Sequence, residues 1–130
     1  MPRALVVEDS YDQRELFVHE LVAAGFMVAQ AADGAEGINE VRRFKPDAVV
    51  LDLMLPGVDG FTVARTVRAL EFGHDVAIVA VTALEAKPLR AEAIAAGCDA
   101  LLGKPVSAEH VVDEVQVCLG RRHSKAEGNG

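Results

Sequence analysis

Pro46-Asp47-Ala48-Val49-Val50-Leu51-Asp52 decides the fold of this chain. An unbroken apolar run, Ala48 to Leu51, follows a turn-forming Pro-Asp pair and stops at a carboxylate. A strand with one wet face alternates apolar and polar residues, whereas a short continuous run suits a strand covered on both faces, as in a parallel sheet. The pattern recurs on either side. Further runs lie at Ala4 to Val7, Phe26 to Ala31, Val76 to Val81 and Ala100 to Leu102. Between them apolar residues recur every three or four positions, the helical period. These sets are Phe17, Leu21 and Ala24; Ala35, Ile38 and Val41; Phe61, Ala64 and Val67; Leu89, Ala93 and Ala96; and Val111 or Val112, Val115 and Leu119. Five strand-helix pairs imply an α/β fold with a five-stranded parallel sheet and five helices. Gly25 and Gly97 fall where helices should stop, and Ser107 suits an N-cap after Pro105.

At 130 residues the chain has the size of one domain, with no room for a separate output domain of ordinary size. Apolar residues make up 51% and charged residues 25%, enough for a buried core; with no Trp, one Tyr and five Phe, that core is mostly aliphatic. Lys and Arg number 13 against 20 Asp and Glu, a formal charge of −7, which argues against direct nucleic-acid binding through bulk charge. Cys98 and Cys118 form no CxxC pair, and His19, His74, His110 and His123 share no ligand spacing with them, so zinc and a disulfide scaffold are not expected. The first residues are too sparsely apolar for a signal peptide, and nothing approaches the ~18 apolar residues of a membrane span. A soluble, cytoplasmic protein with no membrane partner is the expectation. Residues 121–130 are polar, basic at first and Gly-rich, so a domain over 1–120 and a frayed, disordered tail are expected, with Arg121-Arg122-His123 as solvated charge.

Right-handed crossovers bring the carboxyl ends of parallel strands to one edge, where α/β folds place their ligands. The residues leaving the runs there are Glu8-Asp9 after the first, Asp52 after the third, Thr82 after the fourth and Lys104-Pro105 after the fifth. Three carboxylates on one rim repel one another unless a cation compensates them. Mg2+ suits so sparse an oxygen set, since it keeps several waters. A carboxylate beside such an ion can act as a nucleophile toward phosphorus, with a Lys charge and a Thr hydroxyl to receive the new phosphoryl oxygens. Each residue also has a plainer role: Glu8-Asp9 as helix cap, Asp52 or Asp59 as turn residue, Thr82 as N-cap, Lys104 as solvated cation. The coincidence of four junctions outweighs those roles.

These residues carry a family resemblance. Leu-Val-Val-Glu-Asp at 5–9, Pro-Asp-Ala-Val-Val-Leu-Asp-Leu-Met-Leu-Pro-Gly-Val-Asp-Gly at 46–60, Val-Thr-Ala at 81–83 and Gly-Cys-Asp-Ala-Leu-Leu-Gly-Lys-Pro at 97–105 resemble a response-regulator receiver domain of two-component signalling, over residues 3 to 119. The resemblance implies a flavodoxin-like receiver fold with strand order 2-1-3-4-5. It implies Asp52 as phosphoacceptor, Asp9 as a direct Mg2+ ligand, Glu8 as a ligand through water and the Met54 backbone carbonyl as a further metal contact. Thr82 resembles the switch hydroxyl, Lys104 the phosphate-binding lysine, and Lys104-Pro105 a bond that is cis in the family. A histidine kinase or histidine phosphotransfer protein would donate the phosphoryl group. A downstream protein would then read the face of the fourth helix, fifth strand and fifth helix. The single-domain form is expected, with a fragment of a larger regulator or hybrid kinase, or an unphosphorylated binding module, as alternatives.

Two positions depart from the family pattern. Leu101 stands where an aromatic is usual, three residues before the lysine, so ring rotation cannot report the switch. Met54 and Leu84, two residues beyond Asp52 and Thr82, are apolar where the family flanks the path of the hydrolytic water, which implies a long-lived phosphorylated form. Met54 also argues against a dehalogenase-type phosphohydrolase, which needs a second Asp there. Ser10-Tyr11-Asp12 supplies no flavodoxin phosphate loop, and P-loop and GxGxxG motifs are absent.

Overall fold

The central apolar run is β3 (Ala48–Asp52), buried along its whole length. In the computed structural model, which describes residues 1–83 and 87–128, the other runs flank it as β1 (Arg3–Val7), β2 (Met27–Ala31), β4 (Ala77–Thr82) and β5 (Ala100–Gly103). All neighbouring strands are parallel, in the order β2-β1-β3-β4-β5. The connections are α1 (Tyr11–Ala23), α2 (Gly34–Phe44), α3 (Gly60–Ala69), a short 3-10 turn at Gly73–Asp75, and α4 (Lys87–Ala96). Helix α5 (Ala108–Gly128) follows β5.

The period of two along each strand divides the core into two layers. Leu5, Val7, Val49, Leu51, Ile78 and Ala80 face α2, α3 and α4, packing on Val41, Val63, Val67, Ala93 and Ala96. Ala4, Val6, Val50, Val79 and Val81 face α1 and α5, packing on Phe17, Leu21, Val111 and Val115. Because both faces are covered, neither face of the central strands needs polar residues, and their apolar runs are continuous for that reason.

Side-chain oxygens start the helices. Ser10 caps α1 by accepting from Gln13 N, Asp33 caps α2 through Glu36 N, and Asp59 caps α3 through Thr62 N. Ser107 Oγ accepts from His110 N at 3.1 Å, as its position suggested. Gly25 and Gly97 end α1 and α4 at positive φ.

Three expectations from the sequence need correction. Ala24 is exposed because it is the C-cap of α1 and lies past its last packed turn. Ala35 is exposed as well, because α2 meets its neighbours through Gly34 and Gly37. A Cβ on Gly37 would come within 3.0 Å of Val7 Cγ1, and one on Gly34 would overlap the Val58 carbonyl oxygen. The helix therefore leaves no room for a side chain at Gly34 and little at Gly37, and an apolar-period search passes over glycine. The third correction concerns the tail: α5 continues past Gly120, and Arg122 is drawn onto Asp99 and the His74 carbonyl instead of solvent. Leu84 lies outside the described residues.

Candidate functional site

Strand register alone brings the site residues together. Val7 is level with Leu51, so Glu8 and Asp52 leave neighbouring strands side by side. Asp52 is level with Val81, and Thr82 with Gly103, so Lys104 emerges one residue beyond, its N donating to the Thr82 carbonyl at 2.8 Å. Glu8, Asp9 and Asp52 each offer a carboxylate oxygen, all within 4.8 Å of one another. Lys104 Nζ bridges two of them, at 2.7 Å from Glu8 Oε1 and 2.9 Å from Asp52 Oδ2.

Glu8, Asp52 and Thr82 are buried at 1%, 5% and 0% exposure, whereas Asp9 is exposed. Burial raises the Glu8 carboxyl above the usual range, and the Asp52 charge adds to this against the hydrogen bonds from Lys104 and Ser10 N. For Lys104, burial disfavours the ammonium, yet hydrogen bonds to Glu8 and Asp52 outweigh it and the pKa rises. Asp52 Oδ1 also accepts from Met54 N at 2.8 Å, so the turn role and the site role coexist in one residue. That bond places the Met54 backbone beside Asp52, with the side chain exposed. The Lys104-Pro105 peptide is cis.

Arg14 is a site neighbour that sequence reasoning missed. Its Nη1 donates to the Glu8 carbonyl at 2.7 Å and its Nε to Gln30 Oε1 at 3.1 Å. No spacing rule points to it, because the acceptor is a backbone oxygen six residues earlier. Leu101 is buried against α3 and α4, and with Arg90, Pro105, Val106 and His110 it lines a groove of about 480 Å3. Among the described residues no buried side-chain polar atom lacks a partner, and no helix is long and apolar enough to cross a membrane.

Three oxygen donors within reach of one point and one ammonium leave the rim short of positive charge. A hard divalent cation suits such a donor set, and Glu8, Asp9 and Asp52 fit Mg2+ in kind and in spacing.

Comparisons with known proteins agree with this geometry. The model of the response regulator receiver domain matches residues 4–116. The transcriptional regulatory protein PrrA of Mycobacterium tuberculosis is 37% identical over 125 residues, 96% of this chain and 53% of that protein. The chain thus spans about half the length of the curated relatives it matches. Chemotaxis protein CheY4 of Vibrio cholerae superposes with a TM-score of 0.86 at 28% identity, covering 92% of this chain and 99% of that one. The receiver domain of the sensor histidine kinase PA1611 of Pseudomonas aeruginosa, solved with a magnesium ion in its active-site cleft, gives 0.82 at 30% identity over 92% and 98%. Family match, strand order and carboxyl-edge cluster agree: this chain belongs to the response regulator receiver domains, signalling modules of two-component systems.

Proposed function

We propose that Asp52 accepts a phosphoryl group from the phosphohistidine of a histidine kinase or phosphotransfer protein. An Asp52 carboxylate oxygen forms the new P–O bond, the donor's P–N bond breaks, and the imidazole leaves with the bonding pair. The observation that carries the reading is the convergence of Glu8, Asp9 and Asp52 within 4.8 Å, with Lys104 bridging Glu8 and Asp52.

Each residue has a task in this scheme. Met54 N and Lys104 hold the Asp52 carboxylate in one orientation before the phosphoryl group arrives. Lys104 supplies a point charge for one phosphoryl oxygen, and the Thr82 hydroxyl, at the end of the adjacent strand, donates to another. Glu8, Asp9 and Asp52, with the Met54 carbonyl, would hold Mg2+, which when bound neutralises charge on the phosphoryl oxygens. The ion reported in the PA1611 receiver supports that assignment. A protein target would read the face formed by α4, β5 and α5, where the 480 Å3 groove lies. Leu101, largely buried, forms part of its wall, so the readout proceeds without a rotating ring. The acidic balance of −7 leaves phosphate backbones outside the proposed partners.

The test is labelling with a small phosphodonor. With Mg2+ present the chain should gain the mass of one acid-labile phosphoryl group. The gain should vanish without Mg2+ and in Asp52→Ala. A parent protein that stays unlabelled with Mg2+, or an Asp52→Ala variant that labels as well as the parent, overturns the reading.

A further inference from the structure

At the amino edge of the sheet, opposite the carboxylate rim, a second charged cluster joins segments far apart in sequence. Asp99, in the turn between α4 and β5, accepts four bonds. Oδ2 takes Arg68 Nη2 at 3.0 Å and Ile78 N at 2.9 Å, and Oδ1 takes Arg122 Nε at 3.1 Å and Nη2 at 2.5 Å. Arg68 also donates to the carbonyls of Gly97, Gly73 and Val76. Arg122 Nη1 reaches the His74 carbonyl at 2.7 Å.

We infer that this cluster is a latch. It ties α5 at Arg122 to β4 and to the end of α4, so that a rearrangement at Asp52 changes the position or order of the α5 turns at residues 117–123. The inference rests on phosphorylation of Asp52 as proposed above. Its physical basis is the identity of the tied segments. Ile78 belongs to β4, the strand that ends in Thr82, and Gly97 closes α4, the helix that follows that strand. Asp99 thus holds β4 directly and the end of α4 through Arg68, and Arg122 joins α5 to the same carboxylate.

Arg122 aims two donors, Nε and Nη2, at the single oxygen Oδ1, and a planar guanidinium fork that converges on one acceptor tolerates little displacement before both bonds are lost. A shift of the α4–β5 turn therefore either carries α5 with it or releases it, two discrete outcomes instead of a graded strain. Arg122 lies six residues beyond the end of the family match at residue 116. Val117, Gly120 and Arg121, which are exposed on these turns, would be the surface that changes for a partner.

The test is amide hydrogen exchange on the full chain, before and after phosphodonor treatment with Mg2+, with the intact mass read on the same samples. In the parent, exchange across 117–123 should differ between the two states by roughly tenfold, the order expected for losing charge-assisted hydrogen bonds. In Arg122→Gln those amides should exchange fast in both states while the mass gain is unchanged. Arg122→Lys, which keeps the charge without the fork, should behave like Gln. Full mass gain with unchanged exchange at 117–123 in the parent, or a difference that persists in Arg122→Gln, overturns the latch and leaves the phosphoacceptor reading standing. Absence of any mass gain overturns the phosphoacceptor reading. The tie itself is then decided by unlabelled protein: faster exchange at 117–123 in Arg122→Gln supports it, and equal exchange refutes it.

Discussion

The two edges of the sheet carry charged clusters of opposite balance. At the carboxyl edge three carboxylates, Glu8, Asp9 and Asp52, share one ammonium. At the amino edge two guanidinium groups, Arg68 and Arg122, share one carboxylate and donate four further bonds to backbone carbonyls. The first cluster is open, since its unused lone pairs call for another cation. The second is closed. Mobile chemistry belongs at the open edge, and fixed geometry at the closed one.

The sharpest way to break this contrast is at Asp52. Asp52→Ala should abolish acid-labile labelling altogether, read as intact mass, while leaving the amino-edge cluster in place. Next comes Asp99→Ala, which strands two cations. It should cost about 2–3 kcal/mol in urea unfolding, less than the ~3–5 of a fully buried pair, because the three side chains keep 16–25% exposure. A loss of only a few tenths would show that the amino edge is not closed in the energetic sense.

Mg2+ should discriminate the edges directly. It should raise the unfolding free energy of the parent measured in urea, by about 2.7 kcal/mol if supplied at a hundred times its dissociation constant. It should do little for Asp9→Asn and should leave the cost of Asp99→Ala unchanged. A smaller effect concerns the thiols. Burial is the main cause that pushes Cys98, beside Asp99, and Cys118 up to about 11. At pH 8 only about one thiol in a thousand is then ionised, so alkylation of the folded chain should be far slower than in urea. Because both values are raised in the folded state, the stability they contribute is complete below about pH 8.5, the unfolded value, and is lost as pH rises toward 11. Iodoacetamide kinetics against pH check the first statement, and urea unfolding against pH checks the second. The mildest expected change is at the open rim: Met54→Asn should speed loss of the phosphoryl group several-fold by orienting water. Equal decay of variant and parent would remove Met54 from the account.

Much of the fold was legible because burial on both faces leaves a direct trace, as in Ala48 to Leu51, which is continuous in apolar residues. Helix faces were less legible. Ala35 looked like a core position in α2, but close packing selected Gly34 and Gly37, whose missing side chains leave no hydrophobic signal. At the site, Glu8, Asp52, Thr82 and Lys104 were readable because each ends a strand, and parallel strands end together. Arg14 was not readable, since it acts on a backbone carbonyl and any residue could have supplied that acceptor.

What the sequence determined by itself was therefore the set of parallel strands and the kind of residue leaving each one. Only the tertiary structure decided how their charges are shared. It joined Lys104 to Glu8 across 96 positions and to Asp52 across 52, and drew Arg122 from an expected tail onto Asp99. The reason is range: apolar period and turn chemistry act between near neighbours in the chain. An ion pair depends on distances that exist only after the strands have registered and the helices have packed.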